Sequence, residues 1–341
     1  MPAATDPPIA SVVVVSFRSG GTLARCLAAL SAQTETRFET ILLDNASGDG
    51  EAAAAAAADP SIRLMAMDAN LGFAAGNNRA AQAARGRWLV LLNPDAYAQA
   101  DWLERLLAAT VANPHMRCFT ARQLMAAHPE KLDGLGDAMA VIGLPFRGGY
   151  GQNDPGPIAA GEVFSPCGAA MMIDRELFLS LGGFDEDFFC YCEDADLGYR
   201  LRLIGERVMV VPDAVVHHEG SVSTGGRRSD FSMFHGARNR LWLYVKNTPP
   251  VLLALTLLPH LLLTKLLWLA SVVRGEGRAT TRGLLAALAG LPRMLAKRRT
   301  IQAGRRATSA DIARMMSWSP MALVKRRALV SPIADARSDA P

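Results

Sequence analysis

The chain has 341 residues, half of them hydrophobic and 20% charged, with five cysteines and a formal net charge of +4. This balance excludes an intrinsically disordered chain, and the cysteine spacing excludes a disulfide scaffold, a zinc knuckle and a redox CxxC site. Because domains usually run to about 100–200 residues, the length favours one large domain with an appendage.

The positive charge is concentrated towards the C-terminus, where 13 basic residues and 2 acidic ones lie between Arg274 and Ala328. A basic tail indicates nucleic acid, anionic lipid or solvated helix faces. No stacking aromatic residues are interleaved with these arginines, so we expect no nucleic-acid partner.

The first residues, "MPAATDPPIASVVVVSFRSGG", have neither the cationic start nor the cleavage site of a secretory signal. We interpret the odd set of cysteines as reduced thiols. Both features favour a cytoplasmic protein.

The first 125 residues alternate apolar runs of strand length with alanine-rich segments of helix length. The predicted strands are, in chain order, "SVVVVSF", "FETILLDNASGDG", "IRLMAMD" and "RWLVLLN". Helices are predicted over residues 22–32, over the polyalanine run at 52–58, and in "NLGFAAGNNRAAQAARG", which ends at Gly86. This alternation predicts βαβ units and a Rossmann-like α/β fold, a mostly parallel sheet with flanking helices.

Polar residues cluster where these strands stop. They are Ser16, Asp44, Asn45, Ser47, Asp49, Asp68, Asn70, Asn93 and Asp95. In open α/β sheets the ligand crevice lies outside the carboxyl ends of the strands, so this edge predicts a nucleotide site.

Residues 134–165 are rich in glycine and proline without sustained periodicity, which predicts a mobile loop near a site. An apolar strand "CGAAMMI", a short helix "DRELFLSLGG", an acidic aromatic loop "FDEDFFCYCEDADLGYR" and a strand "ERVMVVPDAVVHHEG" follow.

The apolar segment at residues 251–273 has the length to cross a bilayer, but Pro259, His260 and Lys265 interrupt it. We expect a kinked or paired helix that lies in the membrane interface, followed by basic helices that meet anionic headgroups. The alternative is an ordinary helical subdomain packed on the α/β body. The predicted domains are therefore 1–248 (the α/β domain), 249–328 (membrane-associated helices) and 329–341 (flexible tail).

Three acidic residues are candidates for chemistry. Asp95 follows a buried strand and suits a divalent metal that neutralises a diphosphate leaving group, although Pro-Asp is also common in turns. Glu193 and Asp194 precede a predicted helix, where one carboxylate can act as a general base or both can cap the helix.

Two further motifs carry candidate ligands. Either His217 or His218 can complete a metal site at the end of its strand, but not both, because successive side chains point to opposite faces; we favour His217. Arg238 is a candidate diphosphate clamp, and a charged helix face is the alternative.

Taken in order, the motifs resemble those of glycosyltransferase family 2, in its bacterial rhamnosyltransferase-like branch. The matching stretches are "SVVVVSFRSGGTLARCLAAL", "ILLDNASGDG", "NLGFAAGNNRA", "LVLLNPDA", "GGFDEDFFCYCEDADLGYRLRLIG", "VVHHEGS" and "RNRLWLYVKN". Together they extend from Ser11 to about Asn247.

The resemblance implies a GT-A fold, an inverting mechanism and a divalent metal, Mg²⁺ or Mn²⁺. The metal motif corresponds to Asn93-Pro94-Asp95, where Asn replaces the first aspartate, and Asp194 corresponds to the base. The nucleotide-sugar side is then assigned Ser16, Asp44, Asn45, Asn70, Gly72, Asn77, Asn93 and Arg238. The acceptor side is assigned Glu193, Cys167 and Gly168.

These assignments predict transfer of rhamnose or a related hexose from a nucleotide-diphosphate sugar to a lipid-linked or cell-surface glycan. The expected location is the inner face of the cell membrane, where the partners are the donor, a polyprenyl-linked acceptor and the anionic surface. The alternatives are a metal-dependent nucleotidyltransferase and a non-catalytic membrane-bound protein that binds nucleotide-sugars.

Overall fold

A computed structural model describes residues 7–220 and 228–333 of the chain. Within these residues ten strands form one sheet and two more form a separate hairpin. The strands are β1 (Ala10–Ser16), β2 (Phe38–Asp44), β3 (Ile62–Ala66), β4 (Trp88–Leu92), β5 (Ala96–Ala98), β6 (Cys118–Met125), β7 (His128–Gly134), β8 (Asp137–Ala140), β9 (Leu144–Arg147), β10 (Gly161–Val163), β11 (Ala170–Asp174) and β12 (Val208–His218).

Helices flank the sheet on both faces and continue past it at the C-terminus. They are α1 (Thr22–Ser31), α2 (Glu51–Ala58), α3 (Gly72–Ala83), α4 (Trp102–Ala112), α5 (Arg175–Ser180), α6 (Glu193–Leu203), α7 (Asp230–Asn247), α8 (Pro250–Val273), α9 (Gly277–Ala289), α10 (Leu291–Ala303), α11 (Ser309–Met315) and α12 (Pro320–Val324). A short 3-10 helix at Glu186–Phe188 precedes α6.

The main path of the sheet runs β10-β12-β6-β11-β4-β1-β2-β3. Strands β4, β1, β2 and β3 are parallel neighbours, which confirms the predicted N-terminal α/β architecture. The other half is mixed, because β11 runs antiparallel to both β4 and β6 while β12 is parallel to β6.

The valine run of β1 is continuous because both faces of the sheet are covered. Val12 and Val14 belong to the core beneath α1, α2 and α4, whereas Val13 and Val15 face the core beneath α3, α5 and α6. Strands buried on both faces read as unbroken apolar sequence rather than as alternation.

The segment expected to be a mobile loop, residues 134–165, instead contains β8, β9 and β10, so that expectation is wrong. Strands β8 and β9 form an antiparallel hairpin that turns at Gly143, whose φ of +76° suits glycine. Ala138, Ala140 and Phe146 pack together with apolar residues from the C-terminal segment. Strands of three or four residues are too short to show a period in the sequence.

Helices α9 and α10 pack on α7 rather than extending away from the body. Trp242 of α7 donates from Nε1 to the Ala287 carbonyl at 2.9 Å. A Cβ at Gly290 would lie 2.4 Å from the Trp242 ring, so the close approach requires glycine there. Helices α9 and α10 therefore pack on the α/β body through α7.

Helix α8 buries one face and exposes the other. Within the described residues it is the one helix that is long and apolar enough to cross a membrane, yet its buried face carries Leu252, Thr256 and His260. The His260 ring stacks on Tyr244 at 3.8 Å and donates from Nδ1 to the Ile142 carbonyl. Of the three residues that interrupt the apolar sequence, His260 thus faces protein, whereas Pro259 and Lys265 are exposed.

Part of the expected flexible tail lies against the sheet. The Ser331 N–H donates to the Glu162 carbonyl at 2.9 Å, and the Glu162 N–H donates back to Ser331 at 2.7 Å. Residues 334–341, the rest of that tail, lie outside the described residues.

A buried lysine joins α6, α7 and the loop before α6. The side chain of Lys246 is 1% exposed, and its Nζ lies 2.5 Å from Asp185 Oδ2 and 2.7 Å from Asp196 Oδ1. Asp196 Oδ1 also accepts a hydrogen bond from Asn247 Nδ2. Burial alone would raise the pKa of Asp185, but Lys246 and Lys297 hold it well below its ordinary value. Lys246 therefore shares Asp185 with Lys297 and Asp196 with Arg200 in one buried network of charges.

Lys246→Met should lower the free energy of unfolding by about 3 kcal/mol, because Asp185 and Asp196 each lose one buried counter-charge and keep only Lys297 and Arg200. The shift in the urea midpoint, followed by circular dichroism, measures this loss. Lys325 is exposed, so Lys325→Met is the matched control and should change stability by less than about 0.5 kcal/mol. Equal midpoints for the two variants would contradict the assignment.

Candidate active site

A cavity of about 790 Å³ lies at the carboxyl ends of β1 and β4. Its walls come from the end of the sheet, the β8–β9 hairpin, the start of α6 and one side of α7, and it reaches Leu267 on α8. Drug-sized and cofactor-sized ligands occupy cavities of about 300–1,000 Å³, so this one has room for a substrate.

Many of the sequence-predicted site residues converge here. Those that line the cavity are Asn45, Asn70, Gly72, Asn93, Asp95, Gly168, Glu193, Asp194 and His218. Those that lie outside its wall are Ser16, Asp44, Asn77, Cys167, His217 and Arg238.

Several of the outlying side chains make local structural contacts. Ser16 Oγ pairs with Ser19 Oγ at 2.7 Å, Asp44 Oδ1 accepts from the Ser47 N–H, and Asn77 Nδ2 donates to the Phe73 carbonyl. Cys167 is fully buried with its Sγ 3.5 Å from Gln123 Oε1, and the five cysteines of the chain are all free thiols.

One corner of the cavity is built from amides. Asn45 Nδ2 donates to Asn70 Oδ1 at 3.0 Å and to the Gly72 carbonyl at 3.2 Å, while its Oδ1 accepts from the Leu71 N–H. Gly72 has φ +80°, and a Cβ there would lie 2.5 Å from the Phe189 ring. Only glycine lets the start of α3 approach the loop that leads to α6.

Asn93, Asp95 and His218 form a candidate metal site at the end of β4. His218 Nε2 lies 3.3 Å from Asp95 Oδ1, and its Nδ1 is 2.7 Å from Asp133 Oδ2. Burial lowers the pKa of His218, but hydrogen bonding to Asp133 and Asp95 outweighs it and raises the pKa to about 9. Asp133 therefore orients the ring, as carboxylates commonly do for metal-binding histidines.

The polar atoms of this corner fit a divalent cation. Asn93 Oδ1 and His218 Nε2 are both buried without a hydrogen-bond partner of good geometry among the described residues. Oxygen and imidazole donors suit Mn²⁺, and oxygens suit Mg²⁺. Among the described residues no three His, Cys, Asp or Glu side chains form a full cage, so diphosphate oxygens and water would complete the coordination.

The histidine favoured from the sequence is on the wrong side of β12. His217 is half-buried outside the cavity, where burial and then the charge of Arg25 lower its pKa. His218 faces Asp95 because the pairing of β12 with β6 shifts register between Val211 and Val215. A bulge of this kind changes which residues face the site.

Asp194 is fixed at the start of α6 by backbone donors. Its Oδ2 accepts from the Gly168 N–H at 2.9 Å, its Oδ1 accepts from the Ala195 N–H, and its carbonyl accepts from Ser165 Oγ. Glu193 is buried, and burial followed by the charge of Asp194 raises its pKa well above the ordinary value. Of the two adjacent carboxyls, Asp194 is the better placed to accept a proton.

The loop before Asp194 is strained and held by Asn239. Phe189, Tyr191 and Cys192 all have positive φ, between 64° and 71°, which costs about 1–3 kcal/mol for each such residue. Asn239 Nδ2 lies within 2.9 Å of the carbonyls of Phe188, Cys190 and Tyr191. The buried amide offsets this strain and sets the entry into α6.

The two arginines of "RNR" have different surroundings. Arg238 donates to the carbonyls of Asp187 and Phe188 and stacks 4.5 Å above the Trp242 ring, so it supports the strained loop. Arg240 lines the cavity, and burial lowers its pKa. It forms no ion pair with a carboxylate among the described residues.

Sequence reasoning missed four residues that complete this region: Asp133, Asp137, Arg147 and Arg240. The first three come from the glycine-rich segment and its edge, where no periodic pattern marks them. The signal for Arg240 was present in "RNR", but the helix face it occupies depends on the packing of α7.

Known proteins resemble the chain in sequence and in structure. The sequence model of glycosyl transferase family 2 matches residues 11–125. N-acetylglucosaminyl-diphospho-decaprenol L-rhamnosyltransferase of Mycobacterium tuberculosis is 31% identical over a 245-residue alignment that covers 63% of this chain and 77% of that protein.

Two solved structures share the fold at low sequence identity. The mannosyltransferase PcManGT from Pyrobaculum calidifontis, in complex with GDP-Man and Mn²⁺, aligns with TM-score 0.52 and 19% identity over 92% of this chain and 88% of that one. GalNAc-T7 with UDP, GalNAc and Mn²⁺ aligns with TM-score 0.56 and 18% identity over 71% of this chain and 50% of that one.

The 31% identity, over 77% of the mycobacterial protein, shows the family of this chain. The two solved structures agree with a GT-A fold. This chain belongs to glycosyltransferase family 2 and is a glycosyltransferase that uses a nucleotide-sugar donor.

Proposed function

We propose that this enzyme inverts the anomeric centre of a nucleotide-diphosphate sugar as it transfers the sugar to a hydroxyl of a lipid-linked glycan. The observation that carries the proposal is that Asp194 lines the same cavity as Asn93, Asp95 and His218. A base for the acceptor and ligands for the leaving group thus share one chamber.

Asp194 acts as the general base in this mechanism. The acceptor hydroxyl attacks the anomeric carbon from the face opposite the diphosphate, and Asp194 takes its proton as the new bond forms. The hydrogen bonds from Gly168 and Ala195 hold the carboxylate in place before the substrate arrives. This fixed geometry limits the reorganisation needed in the transition state.

The residues that would stabilise the leaving group lie at the end of β4. A bound Mg²⁺ or Mn²⁺ would neutralise the charge that develops on the departing diphosphate. Asp95 and His218 would hold the ion, Asn93 would contribute a neutral oxygen, and Asp133 would keep the His218 ring oriented. Arg240, rather than the predicted Arg238, lines the cavity and supplies a cation for phosphate oxygens.

We favour deoxythymidine-diphosphate-rhamnose as the donor, since the mycobacterial relative is an L-rhamnosyltransferase. The name of that relative gives N-acetylglucosaminyl-diphospho-decaprenol as its acceptor, which supports a polyprenyl-diphosphate-linked acceptor here. Membership of a glycosyltransferase family argues against the nucleotidyltransferase and the non-catalytic alternatives.

The outer face of α8 supports attachment to the inner membrane surface. Exposed leucines and valines recur every three or four residues, forming a stripe about 33 Å long at 1.5 Å per residue. The stripe consists of Val251, Leu255, Leu258, Leu262, Leu266, Leu269 and Val273. Because the opposite face is buried in the protein, the helix suits a position in the plane of the interface, with basic residues of the tail on anionic headgroups.

Asp194→Asn should reduce kcat by about 10²- to 10⁴-fold, because the amide cannot accept the proton. Release of nucleoside diphosphate in the presence of acceptor measures the rate. Asp213→Asn removes an exposed carboxylate of β12 and should keep the wild-type rate. Transfer by Asp194→Asn at the wild-type rate would refute the assignment of the base.

Asp95→Asn and His218→Ala should each weaken Mn²⁺-dependent binding of dTDP, UDP or GDP, whichever nucleotide stabilises the wild type. Thermal unfolding with and without Mn²⁺ measures this effect, since ligand at 100 times its Kd stabilises by about 2.7 kcal/mol. His217→Ala is the matched control and should keep the Mn²⁺-dependent increase in Tm. Loss of this increase in His217→Ala alone would contradict the assignment of Asp95 and His218 as metal ligands.

Leu258→Gln/Leu262→Gln should reduce binding to anionic vesicles at least tenfold, because each leucine buried in lipid contributes about 1.5–3 kcal/mol. Co-flotation with vesicles containing phosphatidylglycerol measures binding, and added salt should weaken it. Val111→Gln/Leu179→Gln changes two exposed apolar residues away from α8 and is the control. Unchanged flotation of the α8 variant would exclude the stripe as a membrane contact.

A further inference from the structure

The β8–β9 hairpin forms a wall of the cavity for which no role has been assigned. Asp137, Leu144, Pro145, Phe146 and Arg147 all line it. The hairpin thus brings one acidic and one basic side chain into the same chamber as Asp194.

Asp137 is fixed relative to the base. Its backbone N–H donates to the Ser165 carbonyl at 2.9 Å, and the Ser165 N–H donates back to the Asp137 carbonyl at 3.0 Å. Ser165 Oγ in turn donates to the Asp194 carbonyl at 2.9 Å. A Cβ at Gly198 would lie 2.2 Å from Ser165 Oγ, so glycine in α6 is what allows this close approach. One serine therefore holds both acidic residues.

The Asp137 carboxyl has unused hydrogen-bonding capacity. Its Oδ1 is buried and has no hydrogen-bond partner among the described residues. Burial, and then the charge of Asp194, raise the pKa of Asp137 to about 8 despite the opposing charge of Arg147. Near neutral pH the group is therefore mostly an uncharged acid that can donate as well as accept a hydrogen bond.

The ion pair of Arg147 is with Asp133 and not with Asp137. Asp133 is the same carboxylate that orients His218. Arg147 therefore links the hairpin to the metal side of the cavity and leaves Asp137 to meet a substrate.

We propose that Asp137 is an acceptor-binding residue, whose carboxyl hydrogen-bonds a hydroxyl or amide of the acceptor sugar beside the hydroxyl that Asp194 deprotonates. The inference rests on the proposed function and adds the group that orients the acceptor. An acceptor is favoured over the donor diphosphate because Asp137 brings no positive charge to phosphate oxygens and shares its anchor, Ser165, with the base. A neutral acid also leaves Asp194 as the group that takes the proton.

The test compares Asp137→Ala, Asp137→Asn and wild type in steady-state transfer. The probe is a short-chain polyprenyl-diphosphate N-acetylglucosamine, together with its monodeoxy and deacetamido analogues. Asp137→Ala should raise the acceptor KM by about 10- to 100-fold and leave the donor KM and the hydrolysis of donor without acceptor unchanged. Asp137→Asn keeps a donor and an acceptor of hydrogen bonds and should stay within about tenfold of wild type.

One analogue should identify the contact. For the sugar that lacks the group bound by Asp137, wild type and Asp137→Ala should show the same KM, because neither forms the hydrogen bond. Asp213→Asn serves as the control for an unrelated carboxylate, and retained donor hydrolysis shows that each variant is folded.

Two results would overturn the proposal about Asp137 alone: an unchanged acceptor KM in Asp137→Ala, or a raised donor KM. An unchanged acceptor KM together with a loss of kcat as large as in Asp194→Asn would make Asp137 the base. If wild type transfers no sugar to the probe, the proposed lipid-linked acceptor is wrong and the proposal for Asp137 fails with it.

Discussion

The edge of the cavity that holds Asp194 depends on a network around one buried ammonium group. Lys246 reaches from α7 to Asp185 and Asp196, which lie on the two sides of the segment that carries Glu193 and Asp194. Isolated buried charges are costly, so Lys246 and the two aspartates stabilise one another in a network that Lys297 and Arg200 complete. Asn239, seven residues earlier on the same helix, holds the carbonyls of that loop. Helix α7 thus acts as the support on which the start of α6 is built.

This support explains why the C-terminal helices belong with the catalytic domain. Lys297 of α10 pairs with the same Asp185, and Arg298 donates to the carbonyls of Val245 and Thr248 at the end of α7. Removing the chain from residue 250 onwards would therefore disturb the active site as well as any membrane contact. Basic residues in this tail serve two purposes, some as internal ion-pair partners and others as an exposed cationic surface.

Sequence alone predicted what long, continuous patterns determine. The valine-rich β1 and several polar residues at the strand ends, Asp95 among them, lie where these patterns predict, and Asp194, which the resemblance singled out, lines the same cavity. Sequence patterns did not predict side chains whose position depends on the face of a strand or helix, or on a contact with a residue distant in the sequence. His218 faces the site because of a bulge in β12. Arg240 does so because residues two apart on a helix point about 200° apart. Asp137 lies in a four-residue strand whose position depends on Ser165.

The wall of the cavity includes both the amides of Asn45 and Asn70 and the apolar residue Leu267 of α8. With α8 lying along a bilayer, the donor would arrive from the aqueous phase while the acceptor would arrive by lateral diffusion. The search for acceptor would then be two-dimensional, so its rate would follow acceptor density per unit area of membrane rather than bulk concentration. Attachment through the leucine stripe would therefore act as a kinetic device as well as an anchor.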